Sequence, residues 1–334
     1  MLNTQIVRSA VLLAAAAAAP QLYAADECGE ITIADMNWAS AEFAAYLDQF
    51  ILREGYGCDA ELVPGDTVPT TTSMIEKGEP DIAPELWVNA AREAIDGAVA
   101  QGKLAITVNI LKDGGEEGWW VPRYTAEKHN LRTVSDVLSK PELFPAPEDD
   151  SKGAFVTCPS GWGCEINNRN LFKAFGLEEA GFVMVDPGSA AGLDGSIAKA
   201  NERGENWFGY YWAPTAMLGK YDMVKLDFEA DFDPQNWDNC ISKEDCEDPQ
   251  KTSWSVSEVR TAAVQTFLDE APADVVDYLS KRSYHNTVVN EVLAWMAEEQ
   301  GTGEDGAIYF LENNEALWSE WVTEEAAAKI RDAL

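Results

Sequence analysis

The chain has 334 residues, and its 58 acidic residues against 24 basic ones give a formal net charge of −34. Nucleic acid and anionic membranes are therefore poor partners, and the charge is typical of a solvated acidic surface or of an attraction for cations. The length suits two lobes better than one compact core, and the composition is that of an ordinary globular protein.

The first predicted element is a leader peptide. Arg8 precedes the uninterrupted apolar run 10–19, and Ala24 is a small residue of the kind found just before a cleavage site. That run is too short to span a bilayer, and a buried helix of the fold should show a polar face that this run lacks. No later stretch reaches the roughly 20 apolar residues of a transmembrane helix. We therefore predict a signal peptide over residues 1–24, cleaved near Ala24, and a free periplasmic protein.

Strands and helices alternate after the leader. Residues 30–35 are predicted to form a strand, Ser40 can cap the helix that follows, and a second strand comes at 60–63. This β-α-β order predicts a parallel sheet. The same alternation continues until Gly114, so we assign residues 25–113 to a first lobe.

The alternation resumes beyond Gly114, which predicts a second α/β lobe over residues 114–220. From about Met223 the chain runs into the acidic loop 231–251 and then into mostly helical sequence. We expect residues 221–334 to return to the first lobe, with the helical tail packed on it. The predicted fold is therefore α/β with two lobes.

Several tryptophans lie where predicted strands end or just beyond the Gly114 break. These positions are Trp38, Trp87, Trp119, Trp120, Trp162 and Trp212. In open α/β sheets, ligands bind in the crevice outside the carboxyl ends of the strands. Packing explains any one of these indoles, but their recurrence in two lobes predicts a shared wall. Indole faces attract cations, and a box of rings suits a trimethylammonium group, which has no N–H to donate.

The segment 158–165, with the sequence CPSGWGCE, is the most specific short signal. Two glycines and a possible disulfide between Cys158 and Cys164 predict a constrained turn that opens into a helix. Free backbone N–H groups at the start of a helix, together with the positive end of its dipole, can bind a carboxylate. The segment therefore predicts an anion site beside Trp162, and the alternative is a disulfide-stapled helix start without a ligand.

The six cysteines fall into three pairs along the sequence, and export permits disulfides. Fifteen pairings are formally possible. The hypothesis is that the bridges join Cys28 to Cys58, Cys158 to Cys164, and Cys240 to Cys246. A metal site is poorly supported because no spacing is C-x-x-C and the two histidines are isolated, so neither a metal nor a cofactor is expected.

The segment 158–165 resembles the ligand loop of substrate-binding proteins of ABC importers for glycine betaine, proline betaine and choline. The run 210–214, with the sequence YYWAP, is similar to that family's aromatic-aromatic-Trp-x-Pro segment, and the tail 267–321 is similar to its helical end. The resemblance implies a two-lobed periplasmic binding protein fold of type II. In that fold, two crossovers join the lobes, which close like a hinge on a ligand in the cleft between them.

The resemblance also implies roles for individual residues. Trp87, Trp162 and Trp212 would form cage walls, and the backbone N–H groups of Gly163 and Cys164 would hold a carboxylate. The implied partners are a small zwitterionic or cationic solute and a membrane permease with its cytoplasmic ATPase. A monomer that performs no catalysis is expected.

Further positions match the choline-binding relatives in particular. Trp38 and Trp119 match their aromatic positions, with Trp120 as the alternative to Trp119. Ser40 stands where some choline binders carry an acid, and its neutrality favours a zwitterion over a plain cation.

The solute itself stays open. Many relatives carry a proline two residues after the first cage tryptophan or a histidine on the following turn, where this chain has Asn89, Ala91 and Arg92. The candidates are glycine betaine, proline betaine, choline, carnitine and dimethylsulfoniopropionate.

Two other classes of function compete with this interpretation. A secreted enzyme is disfavoured because there is no Gly-x-Ser-x-Gly elbow, His129 and His285 have no obvious partner, and Glu116 and Glu117 look like solvated loop charges. A binding protein for an amino acid, a sulfonate or a sugar is the second alternative. Sugar sites need many planar polar side chains beside their tryptophans, and these are sparse here.

Overall fold

The structure is a computed structural model that describes residues 28–334, in which two separate β-sheets form. The predicted leader and its cleavage near Ala24 lie outside these residues. The strands are β1 Glu30–Met36, β2 Asp59–Gly65, β3 Ile82–Trp87, β4 Leu104–Asn109, β5 Gly115–Pro122, β6 Gly153–Val156, β7 Phe182–Val185, β8 Gly209–Ala213, β9 Met223–Lys225, β10 Val256–Ser257 and β11 Val259–Val264.

Helices connect and cover these strands. They are α1 Ala39–Phe50, α2 Thr67–Lys77, α3 Arg92–Ala100, α4 Arg123–His129, α5 Val134–Leu138, α6 Gly163–Phe175, α7 Ala190–Arg203, α8 Ala216–Lys220, α9 Pro234–Asn236, α10 Gln265–Glu270, α11 Ala273–Lys281, α12 Asn286–Glu299, α13 Gly303–Asn313, α14 Glu315–Trp318 and α15 Glu324–Ala333. Two π-helical turns, Ile51–Gly55 and Trp237–Ile241, extend α1 and α9. Among residues 28–334, every helix is too short or too polar to cross a bilayer.

Each lobe is built around one sheet. The first has the strand order β2-β1-β3-β11-β4, and the second has the order β10-β5-β8-β6-β7 with β9 paired to β5. The β-α-β part of each sheet is parallel, as the alternation predicts. However, β11 and β5 run antiparallel to their neighbours, because the chain enters each of them from the other lobe through a short connection. Both sheets are therefore mixed.

The chain crosses between the sheets twice, after β4 and before β11. The second crossing comes later than the sequence boundary between residues 220 and 221. Strands β9 and β10 pair with β5 in the second sheet, and only at Val259 does the chain rejoin the first. A short strand such as Met223–Lys225 carries no signal of which sheet it joins, because that choice depends on long-range pairing.

The helical tail packs on the first lobe, where α13 lies against α1 and α15 lies against the π-helical turn after α1. An ion pair is buried in this region. Arg282 Nε lies 2.6 Å from Asp48 Oδ1, and both side chains are fully buried. Tyr278 donates to the same carboxylate oxygen at 2.5 Å.

Three disulfides are formed, between Cys28 and Cys58, Cys158 and Cys164, and Cys240 and Cys246. The first joins the residues that precede β1 and β2, which are neighbouring parallel strands. The second closes the turn before α6.

Candidate ligand-binding site

A cavity lies between the two lobes, at the carboxyl ends of β1 and β3 and the amino end of α6. It encloses about 330 Å³ of space free of protein atoms, part of which is open to solvent. Its lining residues are Trp38, Thr67, Trp87, Ala90, Glu117, Trp162, Gly163, Cys164, Tyr210 and Trp212. A pocket of this size suits a small solute.

Four indoles form most of the apolar wall, two from each lobe. The ring of Trp162 stands edge-on to Trp38 at a centroid distance of 5.2 Å and to Trp212 at 5.1 Å, with interplanar angles of 70° and 83°. Edge-to-face pairs of this kind fix the rings relative to one another. Trp87, Trp38, Trp162 and Trp212 are each at most 8% exposed. The result is a desolvated aromatic box.

The two indoles of the first lobe share one hydrogen-bond acceptor. Trp38 Nε1 donates to Glu85 Oε1 at 2.7 Å, and Trp87 Nε1 donates to the same oxygen at 3.1 Å. Ser40 does so too, at 2.8 Å, so it is a buried partner of Glu85 and not the helix cap that the sequence predicts. Glu85 is fully buried in β3, a central strand in which every residue is buried.

A second carboxylate, Glu117 on β5, lines the cavity itself. It is 6% exposed, accepts a hydrogen bond from Tyr210 at 2.7 Å, and accepts another from Ser257. Burial raises the pKa of this carboxyl above its usual value, while Ser257, Tyr210 and the charge of Lys225 act against that rise. Sequence reasoning placed Glu117 in a solvated loop. That interpretation was wrong, because the residue lies inside a strand whose remaining core-facing positions are apolar.

Within residues 28–334, no basic side chain pairs with Glu117, and Lys225, whose charge acts on this carboxyl, is paired with Glu116 at 3.1 Å. A buried carboxylate without a paired cation is costly unless a cation enters the site. The cavity therefore offers a place for a positive charge beside Glu117 and Tyr210.

The amino end of α6 forms a surface of hydrogen-bond donors, which suits an anion and not a cation. Gly163 and Cys164 open this helix, and both line the cavity. Their N–H groups are among the first-turn donors that a helix cannot satisfy internally, and the preceding Trp162 provides no side-chain cap. Gly176, in a left-handed conformation with φ of 71°, ends the same helix. The geometry supports a carboxylate at this end of the cavity.

Trp119 and Trp120 do not line the cavity. Trp119 is fully buried in the core of the second lobe, where its ring packs edge-on against Phe155 at 4.8 Å and its Nε1 donates to Asn168. Trp120 donates to the backbone oxygen of Tyr211. Both lie within β5 and not at its end, so the strand, which begins four residues before Trp119, carries them past the cleft.

The two lobes touch around the cavity. Trp162 Nε1 donates to Asn37 Oδ1 at 2.6 Å, and the backbone N–H of Val68 donates to Gly161 at 3.1 Å. Asn89, the departure from the family pattern, donates to the backbone oxygen of Val256 at 3.0 Å and accepts from Arg92 at 2.6 Å. Asn89 thus contacts the other lobe and does not line the cavity.

Sequence reasoning missed Glu85, Glu117 and Tyr210 as site residues. A signal for the acids was present in both cases, because each lies within a strand whose neighbouring residues are mostly apolar or aromatic. An acid in such a strand must be buried with donors or exposed at an edge. Distinguishing these two outcomes requires the strand order.

The chain matches the family model described as the substrate-binding domain of ABC-type glycine betaine transport systems over residues 29–313. It is 28% identical over 109 residues to the glycine betaine/proline betaine-binding periplasmic protein of Salmonella typhimurium. That match covers 31% of each chain, so the aligned stretch spans about a third of the relative's length.

Several solved structures share the fold. A glycine betaine/L-proline-binding protein from Borrelia burgdorferi has a TM-score of 0.71 at 18% identity, covering 90% of this chain and 99% of that one. A choline-binding protein in complex with choline also reaches 0.71 at 17% identity, with 92% and 98% covered. A lactococcal protein in its closed form with glycine betaine reaches 0.67 at 16% identity, with 88% and 100% covered.

Proposed function

The chain belongs to the family of substrate-binding domains of ABC-type glycine betaine transport systems, which bind a solute and do not transform it, and we propose that its own ligand is a small quaternary-ammonium or related zwitterionic osmolyte. One observation carries this proposal: four indoles from two lobes surround a single small cavity. Desolvated cation–π contacts contribute about 2 kcal/mol or more each. An ammonium ion with N–H bonds would leave its donors without partners against such rings.

The charges of the cavity support a ligand with a cationic head and an anionic end. Glu117 supplies negative charge beside Tyr210 and Trp212, while the N–H groups of Gly163 and Cys164 supply donors for a carboxylate. Glycine betaine, proline betaine, carnitine and dimethylsulfoniopropionate carry both charges, whereas choline carries only the first.

The biological setting follows from the family. We propose that the mature protein begins near Ala25, acts outside the cytoplasmic membrane as a monomer, and delivers its solute to a permease driven by a cytoplasmic ATPase. The similar proteins described above are named as periplasmic or ABC-transporter binding proteins, which supports this assignment.

A titration panel tests the ligand class. We expect glycine betaine, choline, dimethylsulfoniopropionate and tetramethylammonium to change the indole fluorescence, with at least one dissociation constant in the micromolar range or below, because four indoles line the site. Calorimetry would then rank the solutes. A response only to a sugar, a sulfonate or an amino acid would assign the chain to the alternative ligand class.

The pH dependence of choline binding is a second expected result. Choline keeps its charge at every pH, so any change in its affinity reports on the protein. The ionised form of Glu117 attracts the cation and the protonated form does not, so affinity falls as the pH drops through the pKa of Glu117. Because burial raises the pKa of Glu117 and of Glu85, we expect this fall to begin at a higher pH than for an exposed glutamate.

The variant Glu117→Gln provides the control for this pH profile. It keeps the side-chain shape and an acceptor for Tyr210, and it removes the charge. We expect choline affinity at neutral pH to fall by about tenfold, which corresponds to about 1.4 kcal/mol, and the pH dependence to become shallower. An unchanged profile would show that Glu117 does not sense the ligand.

A further inference from the structure

Glu85 lies behind the cage and does not line the cavity, yet two of the four cage indoles depend on it. Trp38, Trp87 and Ser40 all donate to its Oε1, at 2.7, 3.1 and 2.8 Å. Its second oxygen, Oε2, is buried and accepts no hydrogen bond from any described residue. Among residues 28–334, the three groups that hydrogen-bond to this carboxylate thus all donate to the same oxygen.

Burial raises the pKa of Glu85, while the hydrogen bonds that Trp38, Trp87 and Ser40 donate to it act against that rise and stabilise its ionised form. The ionised form can accept from both indole N–H groups and from the Ser40 hydroxyl, whereas of these three neighbours only the Ser40 hydroxyl could accept the proton of a neutral Glu85. Arg282, fully buried in the same lobe, adds a favourable charge from a distance, although it is paired directly with Asp48. Its Nη2 also donates to Thr261 Oγ1, and Thr261 in turn donates to the backbone oxygen of Pro84, the residue before Glu85. Arg282 therefore stabilises the negative charge of two buried carboxylates, Asp48 by direct contact and Glu85 from a distance.

We propose that Glu85 is a positioning residue that makes the cage selective for cations, in the sense of the function proposed above. It acts through Trp38 and Trp87 in two ways. First, a shared acceptor fixes both indole planes, so that their faces are oriented before the ligand arrives. Second, an N–H group that donates to an anion polarises its ring and increases the negative charge on the ring face, since hydrogen-bonded groups polarise one another at low dielectric. Both effects strengthen the attraction of the rings for a cation.

The second effect separates this proposal from a purely structural role. A residue that only holds the rings in place contributes equally to the binding of a cation and of a neutral molecule of the same shape. A residue that increases the negative charge on the ring faces strengthens the binding of the cation alone. Choline and its neutral carbon isostere, 3,3-dimethylbutan-1-ol, form such a pair, because they differ in the replacement of nitrogen by carbon.

The experiment compares these two ligands in the wild-type protein and in Glu85→Gln. The glutamine keeps the shape and one acceptor oxygen for the indole N–H groups. We expect choline affinity to fall by at least about tenfold, and affinity for the neutral isostere to change by less than about threefold. Equal losses for both ligands would reduce Glu85 to a structural support, and no loss for either would overturn the proposal.

Asp48→Asn is the matched control. Asp48 is also fully buried and shares Arg282 with Glu85, but its hydrogen bonds go to Tyr278 and not to the cage. We expect Asp48→Asn to lower thermal stability and to leave the ratio of choline to isostere affinity near that of the wild type. A ratio that collapses in this variant as well would mean that the total buried charge matters, and not the contact with the indoles.

A readout without ligand separates this inference from the proposed function. In protein labelled with ¹⁵N-tryptophan, we expect the Nε1–H resonances of Trp38 and Trp87 to move upfield in Glu85→Gln, whereas that of Trp237, which donates to a backbone oxygen, stays in place. If the resonances move but no quaternary ammonium binds the wild type, the ligand class is wrong and the network is real. If Glu85→Gln does not fold, Ser40→Ala removes one of the three donors and should give a smaller loss of choline affinity, again without a loss for the isostere.

Discussion

Trp162→Ala is expected to lower the affinity for the best quaternary-ammonium ligand by about 30- to 150-fold. The ring stands between Trp38 and Trp212 and forms the middle of the cage wall, so its removal eliminates one cation–π contact worth about 1 to 2 kcal/mol. It also eliminates the hydrogen bond that Trp162 donates to Asn37 across the cleft, worth about 1 kcal/mol. Together these losses amount to about 2 to 3 kcal/mol, which isothermal calorimetry can measure directly.

Two further variants divide this loss into its parts. Trp162→Phe keeps an aromatic face and removes only the donor to Asn37, so it should show the smaller part of the effect. Trp120→Phe removes an indole that donates to a backbone oxygen outside the cavity, and its affinity should stay within about twofold of the wild type. If Trp120→Phe loses as much affinity as Trp162→Phe, the cage has been assigned to the wrong rings.

The sequence alone predicts the α/β fold class, because the pattern that indicates this class is local and repeats along the chain. Alternation of apolar strands and helices marks an α/β chain, and the Asp113–Gly115 break coincides with the first crossing between sheets. The boundary near residue 220 depends instead on which sheet a three-residue strand joins. Pairing between β9 and β5 over about a hundred residues of sequence cannot be predicted from periodicity.

The candidate site was likewise predictable only where it depends on local sequence and not on long-range strand pairing. Trp38, Trp87, Trp162 and Trp212 were predicted from their places at the ends of strands or in a glycine-rich turn, and they line one cavity. Trp119 was predicted from its place just beyond the Gly114 break and from a resemblance of position, but whether a side chain faces the core or the cleft depends on the start of its strand. The two buried acids were missed because their burial depends on neighbouring strands that are distant in sequence.

The two lobes approach each other so closely at Gly163 that a larger residue does not fit there. A Cβ added at Gly163 would overlap the Cβ of Ala90, which lies in the other lobe on the turn after Trp87. Neither atom can rotate away, because both are fixed to the backbone. The closed cleft therefore requires glycine here for steric reasons, although the backbone N–H of Gly163 is also the proposed donor to the ligand carboxylate.

Gly163→Ala is accordingly expected to lower the affinity for glycine betaine by about 100-fold, near the upper end of the 1 to 3 kcal/mol that overpacking costs. Gly195→Ala, in α7 with open space where the new Cβ would stand, is the matched control and should leave affinity unchanged. The second-site change Ala90→Gly removes the opposing carbon, and the nearest remaining atoms, Ala90 Cα at 3.5 Å and Thr67 Cγ2 at 3.7 Å, then make ordinary contacts with the new methyl group. The double variant should recover most of the affinity, which would give a coupling energy of about 2 kcal/mol between residues of different lobes. A double variant as weak as Gly163→Ala alone would show that the methyl group blocks the ligand and not the closure of the lobes.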